Sequence, residues 1–150
     1  MRVVIQRVSE GSVTINNALH NFIGQGFVIL AGFEESDTED DLQWIAKKII
    51  DMRIFSDSEG KMNLSIQDVG GEILLISQFT LFASTKKGNR PSFIRSAKPD
   101  IAIPLYEKLI IILNSHLPDR IKTGIFGADM KVSLINNGPV TITMDSKDRE

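Results

Sequence analysis

Residues 70–93 read GGEILLISQFTLFASTKKGNRPSF, and the reading of this stretch decides how the chain is organised. After the Gly70-Gly71 turn, residues 73–76 form an unbroken β-branched and aliphatic run, the pattern of a strand buried on both faces. The run leads straight into Ser77, Gln78 and Thr80, three hydrogen-bonding side chains set among Phe79, Leu81 and Phe82. A polar group buried without a partner costs about 1–3 kcal/mol, so polar residues at the end of a core strand need a reason. Either they satisfy neighbouring backbone, or the strand end is the floor of a site.

Working back towards the N-terminus, Val3, Ile5 and Arg7 alternate with Val4, Gln6 and Val8, and the pattern resumes at Val13 and Ile15, which predicts a strand bent or bulged at residues 9–11. Arg7 shares the apolar face. It either snorkels to the rim or finds carbonyl or carboxylate partners inside. Asn16-Asn17 is a hairpin signal, followed by a short strand over 18–23, a Gly24-Gln25-Gly26 turn and the apolar run 27–33. These predict a three-stranded antiparallel meander. Ser36 or Asp37 is the expected cap of a helix with Glu39, Asp40 and Asp41 in its first turn and Lys47 and Lys48 in its last, as the helix dipole prefers. Leu42, Ile45, Ile49 and Met52 give that helix one apolar stripe, with Trp44 on its flank as a packing residue.

Working forward, Lys86, Lys87, Arg90, Arg95 and Lys98 fall between residues 84 and 98 with no acidic residue, in a chain whose net charge is −2. Such a run is either a solvated face or a seat for a phosphate-bearing ligand. Pro99 suits the first turn of a second helix with the stripe Ala102, Leu105, Leu109 and Ile112; Pro104 predicts either a start near it or a bent first turn. Strands are expected over 121–126, 131–135 and 140–144, with a compact turn at Asn136-Asn137-Gly138-Pro139 and a frayed charged tail over 146–150.

The whole predicts one α+β domain over residues 1–150, mainly antiparallel β-sheets arranged like a barrel with two main helices packed outside. At 150 residues a chain buries roughly 68–70% of its unfolded surface, and 42% apolar with 24% charged residues is ordinary for a globular protein. No apolar run approaches the ~18 residues of a membrane span, and residues 1–7 lack the features of a signal peptide, so no membrane partner and a cytoplasmic location are expected. With no cysteine and only His20 and His116, neither a metal site nor a cofactor is expected. A pI near 5.7 argues against indiscriminate nucleic-acid coating but leaves room for a local basic patch.

Known catalytic signatures are missing: no Gly-rich phosphate loop, no His-Glu-x-x-His, no Gly-x-Ser-x-Gly. A serine triad would have to recruit His20 or His116 from distant elements. If the strand turns after Ser77, the amides of Gln78, Phe79 and Thr80 converge, and amides aimed at a carbonyl oxygen form an oxyanion hole without any acid or base. Acyl transfer or ester hydrolysis is the reaction class this suits.

Ser77-Gln78-Phe79-Thr80-Leu81 resembles the SQFTL motif, and Asn136-Asn137-Gly138-Pro139-Val140-Thr141 the NxGPVT motif, of the D-aminoacyl-tRNA deacylases, the D-Tyr-tRNA deacylase family. The likeness covers nearly the whole chain, including residues 1–8, 90–93 and 126–130; Phe82, where a tyrosine is common, and Asn137 are small departures. The resemblance implies hydrolysis of D-aminoacyl-tRNA, extending to glycyl-tRNA, at the 3′ end of the aminoacylated tRNA. It also implies a homodimer with active sites at the subunit interface, each joining the SQFTL segment of one chain to the Gly138-Pro139 of the other, a cis dipeptide. In this scheme the Gly-Pro wall excludes an L side chain by clash, and Arg7 holds the Gly-Pro carbonyls. The amides of Gln78 and Phe79 bind the ester carbonyl, and Ser77 and Thr80 complete the catalytic segment. Met130 and Phe79 help form the adenosine pocket, with a place in the core as the alternative for Phe79, and Lys86, Lys87 and Arg90 meet acceptor-stem phosphates. Thr80 as a nucleophile competes with assistance from the 2′-hydroxyl of the terminal adenosine. A non-catalytic RNA-binding protein and a Ser/Thr esterase for other small esters are the alternative functions.

Overall fold

The computed structural model describes residues 1–149. Strand β1 (Arg2–Ile15) is the axis, returning through Asn16 and Asn17, whose φ angles of 51° and 61° fit the tight hairpin that their short polar side chains tolerate. The chain then runs back along one edge of β1 as β2 (Ala18–Ile23), paired with residues 11–15, and β3 (Gly26–Gly32), paired with residues 2–8. The predicted meander is therefore corrected to one long interrupted hairpin. Gly24-Gln25 is a jog and not a reversal, because β2 and β3 run in the same direction against the same strand.

The jog lets β3 turn its outer edge to the strand of the opening stretch. Helix α1 (Glu39–Asp51) and the small ribbon β4 (Phe55–Ser56) and β5 (Met62–Leu64) carry the chain over, and β6 (Glu72–Ser77) joins β3 in parallel from Gly26↔Glu72 to Ala31↔Ser77. A glycine is required at 26, since a Cβ there would sit 1.9 Å from the Glu72 carbonyl oxygen. Residues 73–76 are all buried, as a strand covered on both faces demands. A 3₁₀ turn (Phe79–Phe82), helix α2 (Pro99–His116) and the short strand β7 (Ile121–Thr123), parallel to β6, follow. Finally β8 (Met130–Asp145) pairs with β1 over its length, from Arg2↔Asp145 to Ile15↔Met130. Residues 130–145 are thus one strand where two strands and a turn are predicted, and the predicted strand over 121–126 stops at Thr123.

The sheet is mixed, antiparallel around β1 and parallel at β3–β6–β7, and curls into a nearly closed barrel. The Asn21 side-chain amide donates to the Thr123 carbonyl at 2.7 Å, tying β2 to β7. One core lies between the sheet and the helices, where Leu42, Ile45, Ile49, Ala102, Leu109 and Ile112 meet Ile5, Ile29 and Leu75. Met52 falls just past the end of α1, and Pro104 sits exposed inside a continuous α2 that begins at Pro99. The Tyr106 hydroxyl donates to the Leu75 carbonyl at 2.8 Å, and burial pushes its phenol well above the ordinary tyrosine range.

The cap of α1 is Thr38 and not Ser36 or Asp37. Asp37 is withdrawn inside: one carboxylate oxygen pairs with the buried α-amino group of Met1, and the other accepts the Glu34 amide at 2.8 Å. The Met1 amine also donates to Ser146 Oγ at 2.6 Å, and Lys147 donates to Asp41 at 2.6 Å. The predicted frayed tail is therefore ordered through Arg149, while Glu150 lies outside the described residues. Burial works against the charge of Asp41, yet hydrogen bonds from Lys147, Thr38 and Ser146 hold its carboxyl well below the usual carboxylate range. A depressed folded-state pKa contributes stability above the unfolded value of about 3.9 and loses it as pH falls below that value. The urea midpoint is accordingly expected to fall as pH drops below about 4, and Asp41→Asn to flatten that acid limb while costing about 1–3 kcal/mol near neutrality.

Candidate active site

A cleft of ≈ 330 Å³ opens where β6 ends. Its floor is Ile76, Ser77, Gln78 and Phe79; Ala31, Gly32 and Phe33 form one wall, Ser96, Ala97 and Ala102 another, and residues 126–130 with Val132 a third. The predicted residues Ser77, Gln78, Phe79 and Met130 are thus brought together. Phe79 is 54% exposed, and its ring meets Phe93 edge-on at 5.1 Å. The side chains of His20 and His116 are exposed and line no part of the cleft. Among the described residues no group of three or more His, Cys, Asp or Glu side chains is placed to hold a metal ion.

The main chain of this floor follows from the β3–β6 ladder. The ladder continues one step beyond Ser77, so the Gln78 amide donates to the Ala31 carbonyl at 2.7 Å. Gln78 N–H is therefore spent on the sheet, contrary to its expected role as a free donor. The 3₁₀ turn then begins, and its first amides, those of Phe79 and Thr80, have no acceptor among the described residues, as the first amides of any helix lack one. The pair of free donors is shifted by one residue, to Phe79 and Thr80. The Thr80 hydroxyl accepts from the Gln78 side-chain amide at 2.6 Å. A donor, not a base, stands beside it, so nothing at that contact would draw off its proton.

Arg7, Gly138 and Pro139 lie outside this cleft. In the β1–β8 ladder Gln6 pairs with Thr141 and Val8 with Asn136, so the single residue Arg7 opposes four, residues 137–140. The surplus bulges outward and presents Gly138 and Pro139 to solvent, joined by a cis peptide bond. Arg7 fills the gap on the inner face. It is only 8% exposed and donates through Nε to the Asn137 carbonyl at 3.0 Å and through Nη1 to the Ile54 carbonyl. Of the two sequence readings, internal carbonyl partners hold; the carbonyl within the motif is that of Asn137, one residue ahead of the dipeptide. Gly138 has φ +128°, and a Cβ there would meet Arg7 Nη2 at 2.6 Å and Val140 Cγ2 at 2.9 Å, so only glycine fits.

The basic loop forms a second, shallower groove lined by Phe82, Ser84, Lys86, Lys87, Ser92, Ile94 and Arg95. Ser84 and Ser92 pair across its neck. Arg90 is exposed at the tip and lines neither hollow. Sequence reasoning missed the Ala31-Gly32-Phe33 and Ser96-Ala97 walls of the cleft. The small side chains of Ala31, Gly32, Ser96 and Ala97 at element ends are the available signal, and it is weak without the fold.

A family model described as D-Tyr-tRNA(Tyr) deacylase matches residues 4–145. The chain is 61% identical to the D-aminoacyl-tRNA deacylase of Phocaeicola vulgatus, 60% to that of Akkermansia muciniphila and 59% to that of Bacteroides thetaiotaomicron, over 100% of both chains in each case. Among solved structures it is similar to the c-Myc DNA Unwinding Element Binding Protein, with TM-score 0.92, 38% identity, and coverage of 97% of this chain and 98% of that one. A probable eukaryotic D-amino acid tRNA deacylase shares the fold at TM-score 0.80 and 18% identity, with 95% and 97% covered. With two separated motifs, a family match from strand β1 to strand β8 and relatives similar from end to end, this chain belongs to the D-Tyr-tRNA deacylase family.

Proposed function

We propose that this protein hydrolyses the ester of D-aminoacyl-tRNA, acting in the cytoplasm without metal or cofactor. Relatives that carry this name over their full length support the substrate. The observation that carries the chemistry is the pair of amides at Phe79, which lines a cleft of the size a terminal nucleoside needs, and at Thr80, the next residue of the turn, both without an acceptor among the described residues. Water adds to the ester carbonyl, the two amides take the charge that develops on its oxygen, and the bond to the ribose 3′-oxygen breaks. The products are the free amino acid and a tRNA with its 3′-hydroxyl restored. Since the Thr80 hydroxyl faces a donor, the neighbouring ribose 2′-hydroxyl is the group that relays the proton.

Chirality enters through Gly138-Pro139. Exposed, and absent from the cleft of its own chain, the dipeptide suits insertion into the cleft of a second copy, where a backbone wall on one side of the α-carbon would exclude an L side chain. Glycine carries no side chain for such a wall to reject, so glycyl esters are substrates in the same scheme. Arg7 keeps the wall in place through Asn137, Met130 and Phe79 line the nucleoside end, and Lys86, Lys87 and Arg90 supply positive charge for acceptor-stem phosphates.

Incubation with D-Tyr-tRNA and L-Tyr-tRNA is expected to release D-tyrosine alone. Hydrolysis of neither, with tRNA still bound, would point to an RNA-binding protein, and equal hydrolysis would remove the chiral wall. Replacing the terminal adenosine by its 2′-deoxy form is expected to slow release by about 10²–10⁴-fold, whereas Thr80→Ala retains turnover to within about tenfold. Complete loss in Thr80→Ala with binding intact would instead make the hydroxyl the nucleophile. Sedimentation should find a dimer, and a monomer that remains fully active would refute the shared site.

A further inference from the structure

Both ends of the motif around Gly138-Pro139 are tied together on the face of the sheet opposite Arg7. Asn136 uses its whole side-chain amide there. Its Oδ1 accepts the Val140 amide at 3.0 Å, and its Nδ2 donates to Thr141 Oγ1 at 3.1 Å and to Gln6 Oε1. Thr141 Oγ1 donates in turn to Gln6 Oε1 at 2.5 Å. The ladder pairs Gln6↔Thr141 and Val8↔Asn136 flank the bulge, so these three side chains stand at its neck. The Asn136–Val140 bond closes the four-residue excursion on itself and satisfies an amide that the interrupted ladder leaves over. Strand alternation puts Arg7 on the inner face and Gln6 on the outer one, so the bulge is gripped from both sides of the sheet.

We infer that Gln6, Asn136 and Thr141 form an outer clamp that sets stereoselectivity by fixing where the Gly138-Pro139 wall stands; this rests on the proposed role of that dipeptide. They are positioning residues and touch no reacting atom. A wall that rejects by clash works only while it is stiff, since a small outward movement readmits the excluded side chain. The property that responds to the clamp is thus the ratio of D to L hydrolysis. Arg7 packs against Gly138 and, among the described residues, hydrogen-bonds the motif only at the Asn137 carbonyl, so it leaves the outer half of the bulge, Pro139 and Val140, without a polar tie from the inner face.

The test compares kcat/KM for D-Tyr-tRNA and L-Tyr-tRNA in the full chain and in Asn136→Ala, Gln6→Leu, Gln6→Glu and Thr141→Val, with Gly138→Ala as a direct disturbance of the wall. Loss of two or three hydrogen bonds in Asn136→Ala or Gln6→Leu is expected to lower the D:L ratio by about tenfold, chiefly through faster L hydrolysis. Gln6→Glu keeps an oxygen that accepts from both Asn136 and Thr141 and should restore the ratio. Thr141→Val keeps a β-branched residue on an exposed strand position, so it reports even where Asn136→Ala does not fold; about a threefold fall is expected. An unchanged ratio in Thr141→Val and Gln6→Leu, or a parallel fall in both rates, overturns the clamp. If Gly138→Ala alters the ratio while the clamp variants do not, the clamp fails and the wall stands. A wild-type protein that hydrolyses both esters alike overturns the wall and the clamp with it.

Discussion

Strand β1 has no free edge, and this constraint governs the rest of the molecule. Strand β8 occupies one side over its length, while β3 and β2 share the other. Surplus residues in β8 therefore cannot be absorbed by sliding, since a one-residue slip would turn its own Val132, Leu134, Ile142 and Met144 away from the cores they pack against. The only way for residues 137–140 to go is outward. The gap this leaves opposite a single β1 residue is lined by main-chain carbonyls, and a guanidinium, which has donors and no acceptor, matches such a lining. A buried charge at Arg7, a positive φ at Gly138 and an exposed Pro139 are consequences of one mismatch in strand length.

The cleft obeys the same logic where β6 ends. Regular structure stops at Ser77, the last ladder bond binds the Gln78 amide to Ala31, and the amides of Phe79 and Thr80, which open the following turn, have no acceptor among the described residues. What remains is backbone polarity beside a hollow with no histidine in its lining. Main-chain donors need no titration, and the proposed stabilisation of an oxyanion draws on that property. A strongly perturbed carboxylate lies elsewhere, at Asp41 in the network that joins Met1 to residues 146 and 147, where it serves stability.

Much was legible in local pattern. The unbroken run at 73–76, the stripes Leu42-Ile45-Ile49 and Ala102-Leu109-Ile112, and the paired asparagines at 16 and 17 each declare an element through period or turn chemistry. Gly24-Gln25-Gly26 and Asn136-Asn137-Gly138-Pro139 carry equally good turn signals and are not reversals. In the first case β1 claims the strands on both sides of the glycines; in the second, β1 pairs with β8 across the motif. Asp37 has the composition of a cap, yet the Met1 amine, 36 residues away, outbids the helix for its carboxylate.

The sequence by itself determined the two helices, the buried strand at 73–76, the hairpin at Asn16-Asn17, the fold class, the polar strand end and the two motifs whose likeness points to the family. Tertiary structure alone decided that Phe79 and Thr80, and not Gln78, hold the free amides, that Arg7 reaches Asn137 and Ile54, and that Gly138-Pro139 stands apart from the cleft of its own chain. The physical reason is the range of the interactions. Periodicity and turn preference are properties of neighbours along the chain, whereas which amide is spent and which is left over depends on the register of strands that meet only after folding.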